Sequence, residues 1–275
     1  MEYFEQIEKR ASESIIAEEG DYIGKDGLLY CHKCNTRKQT RIEILGIVKT
    51  PMCMCKCMQE KKEKEEAELK QRELTEQIER MRIVGFPDSK MSKWTFEADD
   101  RSNEKISNVA RNYVENFEKL NVKGLLFYGD VGTGKTFISS CIANALIDKG
   151  HPCLVTNFAR LVNTLQGMYE GRQNYIDGLD RYDLLVIDDL ASERDTEYMN
   201  EIVTNIIDAR YRSGKALIVT TNLKKNELNN PSDVKKQRIY SRLFEMCVPV
   251  EVIGQDRRKM KMVSGYAEMK EILGL

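Results

Sequence analysis

An apolar run, Leu125–Tyr128, leads into Gly129-Asp130-Val131-Gly132-Thr133-Gly134-Lys135-Thr136, and Phe137 opens a helical pattern. Gly129, Gly134, Lys135 and Thr136 meet the spacing G-x-x-x-x-G-K-[ST] without a mismatch, and a strand before and a helix after are the context that pattern needs. Glycines let the backbone curl until successive N–H groups face one oxyanion, and the helix N-terminus adds positive potential. Lys135 can then reach the oxygens between the β- and γ-phosphates, and the Thr136 hydroxyl can ligate Mg²⁺. Residues 129–137 are therefore expected to cradle ATP or ADP.

Two later stretches belong with this loop. In Leu184-Leu185-Val186-Ile187-Asp188-Asp189, four apolar residues precede paired carboxylates. That pattern implies a buried strand that delivers both acids at its C-terminal end, the edge where α/β sheets bind ligands. Asp188 is the candidate Mg²⁺ holder, through water, and Asp189 the candidate general base for an attacking water. The next apolar run ends in Thr220-Thr221-Asn222, so the Asn222 amide arrives at the same edge, where it can orient water; the same residues also make an ordinary turn. Farther on, Arg238 and Arg242 stand one helical turn apart, and Arg257 and Arg258 follow the last strand pattern. A guanidinium can spread over γ-phosphate oxygens, although spacing alone also fits solvated charge.

A second chemistry lies near the N-terminus. Cys31 and Cys34 form a C-x-x-C, and Cys53, Cys55 and Cys57 a C-x-C-x-C. A C-x-x-C knuckle lets two thiolates reach one ion without strain, and a second short pair closes a tetrahedron around Zn²⁺. The favoured set is Cys31, Cys34, Cys55 and Cys57, with Cys53 as the alternative: in an extended segment the last three thiols turn to one side and can exchange. An iron–sulfur cluster is the competing reading, and His32, inside the knuckle, is expected to be exposed. The basic stretch between the two cysteine groups leaves contact with DNA and simple solvation both open.

These residues need elements to hold them. Strand patterns run over Gly124–Tyr128, Cys153–Asn157, Leu184–Asp188, Ala216–Thr221 and Val248–Val252, with helical patterns between them, for instance Lys135–Lys149 closed by Gly150. That alternation implies a mainly parallel sheet covered on both faces. Residues 60–82 hold 15 charges in 23 positions with no Gly or Pro, which reads as a solvated helix, either connecting domains or docking a partner. Gly85, Phe86 and Pro87 end it. The expected domains are residues 1–59, 60–87 and 88–275.

Composition bounds the function. The chain has 275 residues, 32% charged, and a net charge of -1, which argues against coating nucleic acid through bulk positive charge. No apolar run approaches the ~20 residues of a membrane span, and the acidic N-terminus lacks an apolar leader. A cytoplasmic protein with no membrane partner is expected. The remaining cysteines, Cys141, Cys153 and Cys247, sit among apolar neighbours as small core residues.

Taken in order, GDVGTGKT, LLVIDDL, IVTTN and the arginines of QRIYSRLFEM and GQDRR resemble AAA+ ATPases of the bacterial and phage helicase-loader group, the DnaC/DnaI-like set, close to the IstB transposition ATPases. The resemblance covers roughly residues 88–275. It implies a P-loop three-layer α/β sandwich with a parallel five-stranded sheet of order 5-1-4-3-2, preceded by a small zinc-binding module and a connector helix. It assigns Asn222 to sensor 1, Arg242 to the arginine finger given to a neighbour's ATP, and Arg258 to sensor 2, with too few residues after it for the usual lid. Its implied partners are a hexameric DnaB-like replicative helicase, single-stranded DNA and further copies of the chain. An IstB-like DNA-targeting adaptor in transposition is the alternative, and the cysteine block favours the loader. One departure is that Asp189 stands where many AAA+ proteins carry Glu, which puts fast hydrolysis in doubt.

Overall fold

The computed structural model describes residues 17–121, 124–190, 197–231, 233–259, 269–270 and 272–274. The acidic N-terminal stretch, residues 1–16, and most of the segment after Arg258 lie outside the described residues. The chain divides into two compact units, residues 1–76 and 77–275, each described by itself.

Among its described residues the first unit has little apolar interior. Two small antiparallel ribbons pair β1 (Tyr22–Ile23) with β2 (Leu29–Tyr30), and β3 (Ile42–Ile44) with β4 (Ile47–Lys49). Among its described residues Leu28 is the one buried aliphatic side chain; the other buried residues are Cys31, Lys38 and Cys55. Lys38 donates to Asp21 at 2.6 Å in a fully enclosed ion pair, and the His32 ring also meets Asp21, at 3.2 Å. Helix α1 (Lys56–Gly85) starts four residues before the charged stretch predicted as helical and runs through it. Ion pairs such as Lys61–Glu65 and Lys64–Glu68 line its exposed surface, each worth only about 0.3–0.5 kcal/mol.

The second unit takes up the last turns of α1, where Ile78 and Met81 pack on its core and Phe86 is buried. It then builds α2 (Glu104–Asn116), β5 (Gly124–Tyr128), α3 (Lys135–Asp148), β6 (Cys153–Asn157), α4 (Phe158–Gln166), α5 (Arg172–Gly178) and β7 (Leu184–Leu190). There follow α6 (Glu197–Ser213), β8 (Ala216–Thr221), α7 (Lys225–Asn229), α8 (Val234–Met246) and β9 (Cys247–Glu251). The five strands form one sheet in the order β6-β7-β8-β5-β9, and each pairing is parallel. Counted from β5, this is the 5-1-4-3-2 order implied by the resemblance.

Strand alternation supplies two cores. Leu125, Phe127, Val186 and Ile218 point to the face covered by α2 and α3. Leu126, Leu185, Ile187, Leu217 and Val219 point to the face covered by α4, α6 and α8. The α6 residue Arg210 is only 1% exposed. Its guanidinium donates to the carbonyls of Tyr182, Asp183 and Ala216, so one side chain ties α6 to the approaches of β7 and β8. Burial depresses it to about 10, still charged at neutral pH.

Three strand boundaries differ from expectation. β9 spans Cys247–Glu251, beginning and ending one residue early. β7 continues to Leu190 rather than stopping at Asp188, because a bulge lets the strand resume pairing: Ile187 faces Val219, and Leu190 faces Thr221.

Candidate functional site

The turn from β5 into α3 has the geometry its glycines require. Gly129, Gly132 and Gly134 have φ of 133°, 79° and 98°, values unfavourable to any residue with a Cβ. At Gly132 a Cβ would also collide with the Asp256 carboxylate, and at Gly129 it would come within 2.6 Å of the Val252 carbonyl. Thr133 closes the loop by donating to the Asp130 carbonyl at 2.9 Å. Val131 is exposed at the tip, and Phe137 packs back against Trp94, ring centroids 5.9 Å apart. Lys135 donates to the carbonyls of Gly129 at 2.8 Å and Asp130 at 2.7 Å, so its ammonium already lies inside the loop. Burial pushes Lys135 below the ordinary lysine value, Asp189, Asp188 and Asp130 oppose that shift, and Arg258 adds to it.

The carboxylates arrive from β7. The Thr136 hydroxyl lies 2.9 and 3.0 Å from the two oxygens of Asp188, and Thr220 donates to the same carboxylate at 2.5 Å. Burial holds the Asp188 carboxyl above the usual carboxylate range, against those two hydroxyls. Asp189 occupies the bulge with φ of 65°, a left-handed conformation that costs a non-glycine residue about 1 kcal/mol or more. Its carboxylate accepts from the Asn222 amide at 2.9 Å. The hydroxyl and carboxylate oxygens of Thr136 and Asp188 are the donor set Mg²⁺ favours, and the curled loop with its enclosed lysine suits a triphosphate.

The predicted residues fall into two groups. The loop, Asp188, Asp189 and Asn222 converge at the C-terminal edge of the sheet. Arg258 is near enough to influence Lys135. Its neighbour Arg257 donates its backbone N–H to Gly132 at 3.1 Å and pairs with Asp100 at 2.5 Å. Arg242 behaves differently: its guanidinium pairs with Asp208 of α6 and lies 5.7 Å from the Tyr211 ring centre, on the sheet face opposite α3. Arg238, more exposed, reaches the same Asp208 at 3.7 Å. Sequence reasoning missed Thr220 and Asp256 as partners of the site. The hydroxyl in Thr-Thr-Asn was the available signal for Thr220; Asp256 is brought in only by the fold.

In the first unit, the sulfurs of Cys31, Cys34, Cys55 and Cys57 all lie within 4.8 Å of one another. Cys57 is 3.6 Å from Cys31 and 3.3 Å from Cys55, near the ~3.8 Å edge of a tetrahedron with Zn–S bonds of about 2.3 Å. Cys53 instead directs its thiol to the Arg37 carbonyl at 3.7 Å. The Thr36 hydroxyl and the Cys57 backbone pull the Cys34 thiol down to about 5, whereas neighbouring Cys55 and Cys31 push Cys57 up to about 12. Four thiols this close cannot all ionise unless a cation balances them, and the donor set fits zinc.

Against known proteins, a family described as IstB-like ATP binding protein matches residues 49–270. The replicative helicase loader DnaC of Buchnera aphidicola subsp. Schizaphis graminum is 30% identical over 131 residues, 46% of this chain and 53% of its own length. DnaC of Escherichia coli strain K12 is 28% identical over 43% of this chain and 50% of its own length. The replicative helicase loader DnaI of Bacillus subtilis is 24% identical over 50% and 48%. The chain thus spans about half the length of each relative. Among solved structures, a DnaI crystal structure aligns with a TM-score of 0.54 and 22% identity, over 65% of this chain and 99% of its own. The DnaC helicase loader aligns with a TM-score of 0.50 and 24% identity, over 60% and 99%. These two likenesses concern the fold alone, an α/β sandwich around a parallel five-stranded sheet.

Proposed function

The chain belongs to the family of IstB-like ATP binding proteins, and from that premise we propose that it loads a ring-shaped, hexameric, DnaB-like replicative helicase onto single-stranded DNA, under the control of ATP. One observation carries this reading: a P-loop domain whose relatives are named replicative helicase loaders shares its chain with a four-thiol module. Residues 1–59 grip the helicase, residues 60–87 connect, and residues 88–275 bind nucleotide and DNA in an assembly of copies in the cytoplasm.

The chemistry is attack of water on the γ-phosphate. The backbone N–H groups of residues 129–134 and the Lys135 ammonium bind the phosphates, and Thr136 with Asp188 would hold Mg²⁺, which would supply positive charge against the phosphates. Asp189 accepts the proton of the attacking water, and Asn222 holds that carboxylate and orients the water. Arg258 meets the nucleotide in its own chain, and Arg242 meets that of a neighbour. Hydrolysis is slow and regulated, since Asp189 is one carbon shorter than Glu and is already engaged by Asn222. Cys31, Cys34, Cys55 and Cys57 hold Zn²⁺, which cross-links a module with almost no apolar core.

The test is co-purification of the full chain with its cognate replicative helicase and, separately, with a transposase, each with ATP and with ADP. Nucleotide-dependent retention of the helicase supports the loader. Retention of transposase alone would make the chain an IstB-like DNA-targeting adaptor.

A further inference from the structure

The bulge in β7 sets two residues, Asp188 and Asp189, against a single residue of β8, Thr220. Two-against-one is the defining count of a bulge, and the extra residue ordinarily loses its ladder partner. Here the partner is a side chain. The Thr220 hydroxyl accepts the backbone N–H of Asp189 at 2.9 Å and donates its own hydrogen to the Asp188 carboxylate at 2.5 Å. A hydroxyl has one hydrogen to give and lone pairs to receive, so these two bonds use its donor and accept the orphaned N–H. Thr220 is 2% exposed, so water is not at hand to replace it.

We infer that Thr220 is a positioning residue for hydrolysis: its hydroxyl locks the bulge that holds Asp188 and Asp189 in their respective places. It rests on the reading of Asp188 as the Mg²⁺ holder and Asp189 as the water-activating base. The strained φ of Asp189 persists only while its surroundings over-determine it, and the N–H bond to Thr220 is one of those determinants. Without the hydroxyl, Asp189 loses its fixed backbone and Asp188 loses a donor, while the phosphate loop on the neighbouring strand keeps its own bonds.

The experiment compares Thr220→Val, Thr220→Ser, Asp189→Asn and wild type as full-length chains, under conditions in which the wild type hydrolyses ATP. Val keeps the branched shape and deletes the hydroxyl; Ser keeps the hydroxyl and deletes a methyl group. For Thr220→Val we expect kcat to fall at least about tenfold, with affinity for a fluorescent ATP analogue at saturating Mg²⁺ within about twofold of wild type. The Mg²⁺ concentration that half-saturates analogue binding should rise severalfold. Thr220→Ser should recover kcat to within about threefold. A Ser variant as slow as Val would put the effect in the lost methyl group and overturn the inference, as would equal losses in kcat and ATP affinity. If Asp189→Asn is inactive while Thr220→Val matches wild type, the carboxylate reading stands and the role of Thr220 alone falls. If Asp189→Asn hydrolyses ATP at the wild-type rate, the reading of Asp189 fails and takes the inference with it.

Discussion

Lys135 illustrates how much a single residue can be read from its neighbours in sequence. Its spacing from the loop glycines is local, so the motif prescribes where the ammonium goes, and the structure has it bonded inside the loop. Lys135→Ala should weaken ATP binding at least about a hundredfold, because a charge-assisted contact to phosphate is lost and water cannot substitute for it. The thermal midpoint should move by less than about 5 °C, since the bonds deleted are to loop carbonyls that solvent can reach once the side chain is gone. Nucleotide titration beside a melting curve checks both. Arg210 is the opposite case. Nothing in its sequence neighbourhood separates it from Arg212, yet it is the buried staple of four carbonyls, those of Leu179, Tyr182, Asp183 and Ala216. Arg210→Ala would orphan those acceptors and leave a cavity, costing about 3 kcal/mol or more, or a melting temperature about 6–12 °C lower for a domain of this size. For Thr220 the Thr-Thr-Asn run signalled a hydroxyl at the sheet edge but not its partners, which are set by cross-strand register that no local pattern encodes.

At the scale of elements, the alternation of apolar runs and helical periods is strong enough to recover each strand of the large sheet to within a residue or two. The exception is instructive. β7 outlasts its predicted end because the bulge absorbs Asp189 and lets Leu190 rejoin the ladder, and the sequence there, Asp-Asp, reads as a strand terminus. The thiol module shows another limit. Ribbons as short as β1 and β2 have no periodicity to detect, and only the cysteine spacing betrayed the unit. The scarcity of buried aliphatic side chains among its described residues means that cross-linking has to replace a core there. Purified chain should therefore carry about one zinc ion, and stripping it with a chelator should expose residues 31–57 to proteolysis while nucleotide affinity changes by less than about twofold. Cys57→Ser should lose the ion, whereas Cys53→Ser should keep it, because Cys53 faces a carbonyl rather than the other thiols. Metal analysis with proteolytic mapping decides. Zinc lost from Cys53→Ser and retained in Cys57→Ser would reassign the ligands.

For the whole molecule, parallel strands and two-sided coverage follow from the pattern, but the order β6-β7-β8-β5-β9 does not: crossover connections leave several orders open, and resemblance to the loader group supplied the one found. That order puts α8 on the face opposite α3, and with it Arg242. Its guanidinium is held by Asp208 beside the Tyr211 ring, and the proposal that it serves a neighbouring copy's ATP requires it to leave that carboxylate. Arg242→Ala should accordingly leave ATP affinity within about twofold and depress hydrolysis in the assembled state by ~10³-fold, the scale of a lost arginine finger. Mixing separates the two geometries. A Lys135→Ala subunit binds no nucleotide but keeps its arginine, and an Arg242→Ala subunit binds nucleotide but lacks one. Each is inactive alone, yet wherever the first sits beside the second in the right order, an intact finger meets an occupied loop and hydrolysis returns. Rates measured across mixing ratios should rise to a maximum at intermediate composition. A flat profile, with ATP affinity already lost in Arg242→Ala, would mean that Arg242 serves its own loop, despite its position across the sheet, and the proposal of nucleotide-bridged assembly would fall with it.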